Sequence, residues 1–414
     1  MEFKRLTIRE WKQFENLEIE FHPKLTVLTG ANGAGKTTIL NLLARHFGWN
    51  SLELATPAKD KKTGGFKFFT RFFKNPFDFF GDRNVPNSIG RIEYSSGSHG
   101  DIIIPDTDSP QYNLEIARQQ NVRGFNIHSH RPLFKYANVP HIPLKKRSPR
   151  EAFDLVSNST RERILGNGRG QPSNFFIKET MLLWANQGYR SEVQEPDEES
   201  KRNYEGFQGI LRDILPQSLG FQEFKIRTGE LVMITKSGDF MLDAVSGGVG
   251  ALIDLAWKIY LVHLEEKGPI TILIDEAENH LHASMQREML PNFLKAFPEV
   301  QFIVSTHSPL IIGSVKDSNV YALRYVENEE GEFKVKSTLL DLENKAKNAT
   351  EILNEILGVS FTMPIWVENS LNDIINKHSS KEMTEQVFDD MRKELKEIGL
   401  ENLMPLAIKN SLKK

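Results

Sequence analysis

The sequence predicts an α/β protein: a β-rich N-terminal lobe joined to a mostly parallel sheet flanked by helices, with a helical insert and a helical C-terminal tail. Three observations carry that expectation. The apolar run Leu25 to Leu28 enters a glycine-rich turn and then an amphipathic helix, ITILI (270–274) is an apolar strand ending in acids, and QFIVS (301–305) ends in a polar turn. Short apolar runs of this kind suit strands covered on both faces, the condition of a parallel sheet between layers of helices.

In chain order, FKRLTI (3–8) and LEIEF (17–21) read as strands around the polar segment Lys12 to Asn16, and lead into the strand before the glycine-rich turn. The helix after that turn runs to about Phe47 and stops near Gly48. Residues 1–54 are therefore the first part of the main domain, and 55–225 interrupt it. The interruption opens with Lys59 to Gly65 and continues with FKFFTRFFKNPFDFF (66–80), eight phenylalanines among Lys67, Arg71 and Lys74. Such a run suits either a base-stacking surface or a partner contact, but clustered rather than spaced aromatics favour a packed insert or a protein contact. Strand-like RIEY and DIIIP precede Phe125-Asn126-Ile127-His128-Ser129-His130-Arg131-Pro132. Without further ligands at fixed spacing, His128 and His130 read as structural or nucleotide-contacting.

Residues 145–220 look helical and more polar. They include the basic stretches KKRSPR (145–150) and RERILGNGRG (161–170), and the acidic EVQEPDEESKR (192–202), a solvated loop. Residues 226–345 resume the main domain. LVMIT (231–235), KSGD and FML form a hairpin, followed by Ser246-Gly247-Gly248-Val249-Gly250 and a helix from about Ala251 to Glu265. VYALRYV and EFKVKST flank the turn Asn328 to Gly331 and read as an edge hairpin. Amphipathic helices fill 346–414, a tail for docking or dimerisation.

The 414 residues suffice for roughly two to three domain-sized units. No apolar run approaches the ~20 residues that cross a bilayer, and the start, Met1-Glu2-Phe3-Lys4-Arg5, lacks a signal-peptide core. The expected compartment is the cytoplasm, with no membrane partner. The absence of cysteine excludes disulfides, thiolate zinc sites and a cysteine nucleophile. A formal charge of −3 gives no global pull toward nucleic acid, so such binding needs a local basic patch.

The chemistry begins at Gly30-Ala31-Asn32-Gly33-Ala34-Gly35-Lys36-Thr37, a match to G-x-x-x-x-G-K-[ST] between a strand and a helix. Glycines let backbone N–H groups curl around phosphate oxygens, and the new helix points its positive end at the same anion. Lys36 is expected to reach the β and γ phosphates and the Thr37 hydroxyl to bind Mg²⁺, with Thr38 a further nucleotide-binding position. Asp275 ends ITILI, where a carboxylate can hold the Mg²⁺ that bridges those phosphates. Glu276 follows it, placed to orient or deprotonate the attacking water. His307, beyond QFIVS, stands at the carboxyl end of a parallel strand, where open α/β sheets bind ligands, and can donate to the γ-phosphate. Ser246, Gly247 and Gly248 open another helix and hence another anion site. Two helix N-termini meet one triphosphate only from opposite sides, which asks for a second molecule.

In this order and spacing these residues resemble the ABC-type ATPase heads of the SMC and RecF superfamily, over the first 50 residues and about 230–325. The resemblance implies ATP hydrolysis to ADP and phosphate, with ATP and Mg²⁺ as cofactors. It makes GANGAGKT the Walker A loop, Asp275 and Glu276 the Walker B pair, Glu278 to His282 the D-loop region, His307 the switch histidine, and SGGVG the signature that contacts ATP on the opposite protomer. DEAENHLH and STHSP look most like OLD-type and PtuA-type ATPases, many of which serve bacterial anti-phage systems beside a nuclease or toxin. The segment ending in Arg131 and Pro132 loosely resembles a pre-lobe arginine motif of such proteins. The signature departs from L-S-x-G with a following Glu or Gln: Val245 and Val249 flank it, which implies slowed turnover. Ala277 and Ala283 stand where proline is common. The Q-loop glutamine is not placed, with Gln111, Gln119 and Gln120 as candidates.

Val367-Glu368 faintly resembles the first acidic residue of a Toprim nuclease, but the 46 residues that follow are too few for that fold. The pair Asp106 and Asp108 reads more simply as a turn. The expected function is a dimeric ATP switch, or a higher oligomer, controlling a separate nuclease or toxin, with direct nucleic-acid contact left open. The alternative is a RecF-like repair ATPase that clamps DNA. An ATPase subunit of a membrane transporter fits poorly, given the hybrid signature and the large insert after the first helix.

Overall fold

The computed structural model describes every residue except 60–64, 70–87, 106–108, 132, 165–169, 191–194, 266–267, 330, 359–363, 379–383, 406–407 and 409–414. It divides into two units, Met1–Lys347 and Asn348–Lys414.

The first unit opens with antiparallel β1 (Phe3–Trp11) and β2 (Phe14–Glu20). Their connection is tighter than the expected polar segment: Lys12, at φ 51°, turns the chain and β2 already begins at Phe14. Next come β3 (Leu25–Gly30), buried along its whole length, and α1 (Lys36–Ala44), closed by a 3₁₀ turn and by Gly48 at φ 77°. Two short ribbons pair β4 (Glu53–Leu54) with β9 (Gln111–Tyr112), and β5 (Thr56–Lys59) with β6 (Phe66–Phe69). Between them run β7 (Ser88–Tyr94) and β8 (His99–Ile103), and after them β10 (Glu115–Ala117) and β11 (Gly124–Ile127).

The main sheet has eleven strands in the order β10-β8-β7-β1-β2-β18-β17-β3-β16-β15-β11, with β15 (Ile270–Ile274), β16 (Val300–Ser305), β17 (Asn319–Glu327) and β18 (Phe333–Leu339) arriving from the later chain. Strands β10 to β2 are antiparallel, whereas β17, β3, β16, β15 and β11 run parallel. The segment after residue 55 thus supplies four strands to the main sheet as well as helices. β11 was hidden because Gly124-Phe125-Asn126-Ile127 is too short and mixed to read as a buried strand.

The β17–β18 hairpin corrects the expectation of an edge. It lies centrally: β17 pairs along β3, and β18 touches β2 through the single register pair Val335 and Phe14. A turn between two strand-like runs marks a hairpin but does not say which strands lie beside it.

Helices α2 (Pro149–Ile164), α3 (Ser173–Gly188) and α4 (Glu198–Ile214) precede the antiparallel β12 (Phe221–Arg227), β13 (Glu230–Thr235) and β14 (Phe240–Met241). They pack with α5 (Gly247–Glu265), whose Trp257 lies 5.3 Å from Trp184 and 4.8 Å from Phe207. Burying each such ring stabilises the fold by about 1.5–3 kcal/mol. Helix α5 has the length and mean hydropathy of a membrane span, yet 78% of that window is buried inside the fold. Helices α6 (Ala283–Ala296), α7 (Pro309–Ile312) and α8 (Leu342–Lys345) complete the unit.

The second unit holds α9 (Ala349–Glu351), α10 (Ile365–His378) and α11 (Glu385–Glu397). Its own core joins Leu371, Ile374 and Ile375 to Val387, Met391 and Leu395. Of the phenylalanine-rich stretch, Phe68 packs against the main core. Residues 70–80, with Asp106 and Asp108, lie outside the described residues.

Candidate functional site

The parallel strands end along one edge of the sheet, and their C-terminal residues form the site. Register sets this directly: Val304 lies beside Val27 and Ile274, and Ile127 beside Ile274. The residues that follow β3, β15, β16 and β11 therefore emerge side by side, the usual place for a ligand in an open α/β sheet.

After β3 the chain turns through Gly30, Gly33 and Gly35 at φ 142°, 79° and 90°. Helix α1 starts at Lys36 with no side chain capping it, so its first N–H groups remain available to an anion. The loop is braced from outside. Gln13 Nε2 and the Tyr325 hydroxyl both donate to the carbonyl of Gly33, at 3.2 and 2.9 Å. The buried Lys36 folds back to donate to the carbonyls of Gly30 and Ala31 at 3.0 and 3.1 Å. Burial lowers its pKa, while Asp275, Glu278 and Glu276 favour its charge. Ala31 and Asn32 lie at the exposed crest of the loop, Ala34 is fully buried beneath it, and Thr38 is half-buried on the first turn of α1.

Thr37 and Asp275, 238 residues apart, meet: the Thr37 hydroxyl lies 3.1 Å from both carboxylate oxygens. Ser305, ending β16, donates to Asp275 Oδ1 at 2.5 Å and accepts the Glu276 N–H at 2.9 Å. One hydroxyl thus fixes both acidic residues. Glu276 adopts φ 46° and His280 φ 66°, left-handed conformations rare for such residues. The Glu276 carboxylate accepts from Asn279 Nδ2 at 2.6 Å. Glu278 turns the other way, accepting from the Thr306 hydroxyl and the His307 N–H, both at 2.7 Å. The His307 pKa is lowered by burial and then by Lys36, against Glu278, Glu276 and Asp275, which raise it.

Arg131, beyond β11, points its guanidinium under the turn after β15 and donates to the carbonyls of Glu276 at 3.1 Å, Asn279 at 3.4 Å and Ala277 at 3.5 Å. His128 rests edge-on against Trp49 with ring centres 4.3 Å apart, and Asn126 Nδ2 lies 3.3 Å from its Nε2. His130 is exposed. Among the described residues no group of three or more His, Asp or Glu is arranged to hold a metal ion.

Ser246, Gly247 and Gly248 lie at the start of α5, against the turn that carries Glu276. A Cβ on Gly248 would meet the His280 carbonyl at 2.8 Å, and one on Gly247 would meet Leu133 at 3.0 Å. No hydrogen bond among the described residues links them to the 30–37 loop. Below them Asp243 is held by Lys178 Nζ at 2.8 Å and Asn174 Nδ2 at 2.6 Å.

Several residues at this site were not singled out in the sequence. Ser305 sat inside the motif but its double role depends on β16 lying beside β15. Gln13 and Tyr325 reach the loop from 20 and 292 residues away. No local pattern marks them. Of the candidates for a Q-loop residue, Gln111 is in the β4–β9 ribbon, the Gln119 N–H donates to the Ile116 carbonyl, and Gln120 Nε2 donates to the Arg118 carbonyl.

Relatives share parts of this chain. "Retron Ec83 probable ATPase" of Escherichia coli is 31% identical over 115 residues, 25% of this chain and 21% of that protein. "Septu protein PtuA" of Bacillus mycoides (strain KBAB4) is 31% identical over 144 residues, 33% of this chain and 19% of that protein. "Septu protein PtuA" of Bacillus thuringiensis is 25% identical over 204 residues, 42% and 46% of the two chains. The match covers less than half the length of each. Among solved structures, the SMC head domain from Thermotoga maritima superposes with a TM-score of 0.43 at 15% identity, covering 82% of this chain and all of that one. The family model described as "AAA domain, putative AbiEii toxin, Type IV TA system" matches residues 25–313. That match runs from the first residue of β3 to the residue after α7, well over half the chain and all of the site's parallel strands, and the chain belongs to this family of AAA-domain ATPases.

Proposed function

We propose that the chain is an ATP-binding and ATP-hydrolysing dimeric switch that controls a separate effector, a nuclease or toxin, in a bacterial anti-phage defence system. The observation that carries the reading is the meeting of Thr37, Asp275 and Ser305 beside an uncapped helix N-terminus. The donor set fits both ATP and a hard cation. Backbone N–H groups of 33–38 and the Lys36 ammonium suit the β and γ phosphates, and the Thr37 and Asp275 oxygens suit Mg²⁺. Bound there, Mg²⁺ would neutralise charge developing between those phosphates.

The chain's own residues do the rest. Lys36 exchanges its two loop carbonyls for phosphate oxygens. Glu276, fixed by Ser305 and Asn279, takes a proton from the attacking water. His307 donates toward the γ-phosphate. Ser246 to Gly248 present backbone N–H groups to ATP held by a second copy, so ATP closes the dimer and hydrolysis opens it. The relatives named for Septu and retron systems support a defence role, and the reading takes the cytoplasm as the working compartment.

Glu276→Gln tests this by sedimentation velocity. The variant is expected to form an ATP-dependent dimer that persists, while wild type reverts as ATP is consumed. Identical sedimentation of the variant with and without ATP would overturn the switch.

A further inference from the structure

We propose that Arg131 is a positioning residue for hydrolysis: its guanidinium clamps the turn after β15 and thereby sets the direction of Glu276. The inference rests on the ATPase reading above and adds to it a residue that touches neither nucleotide nor water.

Three observations support it. Arg131 is buried, yet its two terminal nitrogens are spent on the backbone carbonyls of Glu276, Ala277 and Asn279 rather than on any carboxylate, and its Nε has no partner. A planar fork with donors on two nitrogens spans neighbouring carbonyls of one turn in a way that a point charge does not. The turn needs such a clamp because Glu276 and His280 both occupy left-handed conformations. Such conformations persist only where neighbouring contacts hold them. Finally, the same strand end grips the turn twice, since Asn279 Nδ2, which also holds the Glu276 carboxylate, donates to the Ser129 carbonyl at 3.0 Å. Burial pulls the Arg131 pKa down to about 10, against four carboxylates led by Asp254 that keep it charged.

The experiment compares wild type with Arg131→Lys, which keeps the charge and loses the fork. Single-turnover ATP hydrolysis is expected to slow by about 100-fold, the cost of a roughly 1 Å misplacement at a reacting group. The Kd for a non-hydrolysable ATP analogue should change less than twofold. The slowing should also vanish in the Glu276→Gln background, because the clamp acts only through that carboxylate. Parallel losses of affinity and rate, or an equal further loss in the Glu276→Gln background, would show a residue that merely supports the fold and would overturn the proposal. Hydrogen exchange on the nucleotide-free wild type provides a check independent of the variant and of turnover. The amides of Ala277 and Asn279, which donate to the Ser305 and Glu276 carbonyls only while the turn keeps its clamped shape, should exchange about 100-fold more slowly than in a free chain. Unprotected amides there would overturn the clamp. Absence of hydrolysis by wild type would instead overturn the ATPase reading.

Discussion

Replacing Gly30 by alanine measures how closely β17 presses on the phosphate-binding loop. Gly30 has φ +142°, and an ideal Cβ there would lie 2.3 Å from the carbonyl oxygen of Leu323. Contacts under 3.0 Å force a shift, so one backbone must move by at least about 0.7 Å. Neither yields easily: β3 is gripped by β16 and β17, and β17 by β3 and β18. The unfavourable φ costs about 1–3 kcal/mol and the overpacking about 1–3 kcal/mol, giving roughly 2–6 kcal/mol in all. Gly48→Ala is the control. Its φ is +77° and nothing lies within 4 Å of the added methyl, so only the backbone cost of about 1–2 kcal/mol applies. Urea denaturation reads the difference as a shift in midpoint at unchanged slope. Because Gly30 opens the loop whose backbone N–H groups face the phosphates, a displaced Gly30 misplaces those donors, and ATP affinity should fall in Gly30→Ala and hold in Gly48→Ala. Equal destabilisation by the two substitutions would refute the close approach.

Two further outcomes are expected. Ser305→Ala leaves the Glu276 N–H without its acceptor in a buried place and should cost about 1–3 kcal/mol in urea melts, with a slower hydrolysis rate; a variant as stable and active as wild type would remove Ser305 from the site. His46 gives a pH signature. Burial lowers its pKa to about 4, with Nδ1 donating to the Leu43 carbonyl and Nε2 accepting from the Tyr94 hydroxyl, a tautomer assigned from these partners. Since the folded value lies below the ordinary 6.5, this contribution is full above pH 6.5 and is lost as pH falls toward 4, up to about 3 kcal/mol. Urea midpoints of wild type and His46→Gln should therefore converge as pH falls from 7 to 4, and a constant gap would contradict the assignment.

The sequence placed candidate residues where they lie at or just beyond the end of an apolar strand, as at Asp275 and His307, because the strand itself delivers them to the C-terminal edge of the sheet. It was less informative about neighbours. The apolar run from Leu25 announces a strand covered on both faces, but nothing in it says that β16 and β17 provide the cover. The hairpin from Asn319 shows the same limit: its residue types mark two strands and a turn, and not the central place set by pairing with β3. Arg131 was noted only through a loose resemblance. Its role depends on backbone carbonyls, which every residue carries and no sequence pattern distinguishes.

The order of the strands also sets an order in time. β1, β2, β7, β8 and β10 find one another within the first 117 residues, so the N-terminal lobe has its partners early in synthesis. β3 does not. Its neighbours begin at Val300 and Asn319, 275 and 294 residues after Leu25, which at about 5–20 residues per second means roughly 14–60 s on the ribosome. Throughout that interval a strand destined for complete burial waits with both hydrogen-bonding edges open, a natural client for chaperones. No nascent chain shorter than about 305 residues can contain the nucleotide site, because Ser305 and its strand have yet to be made.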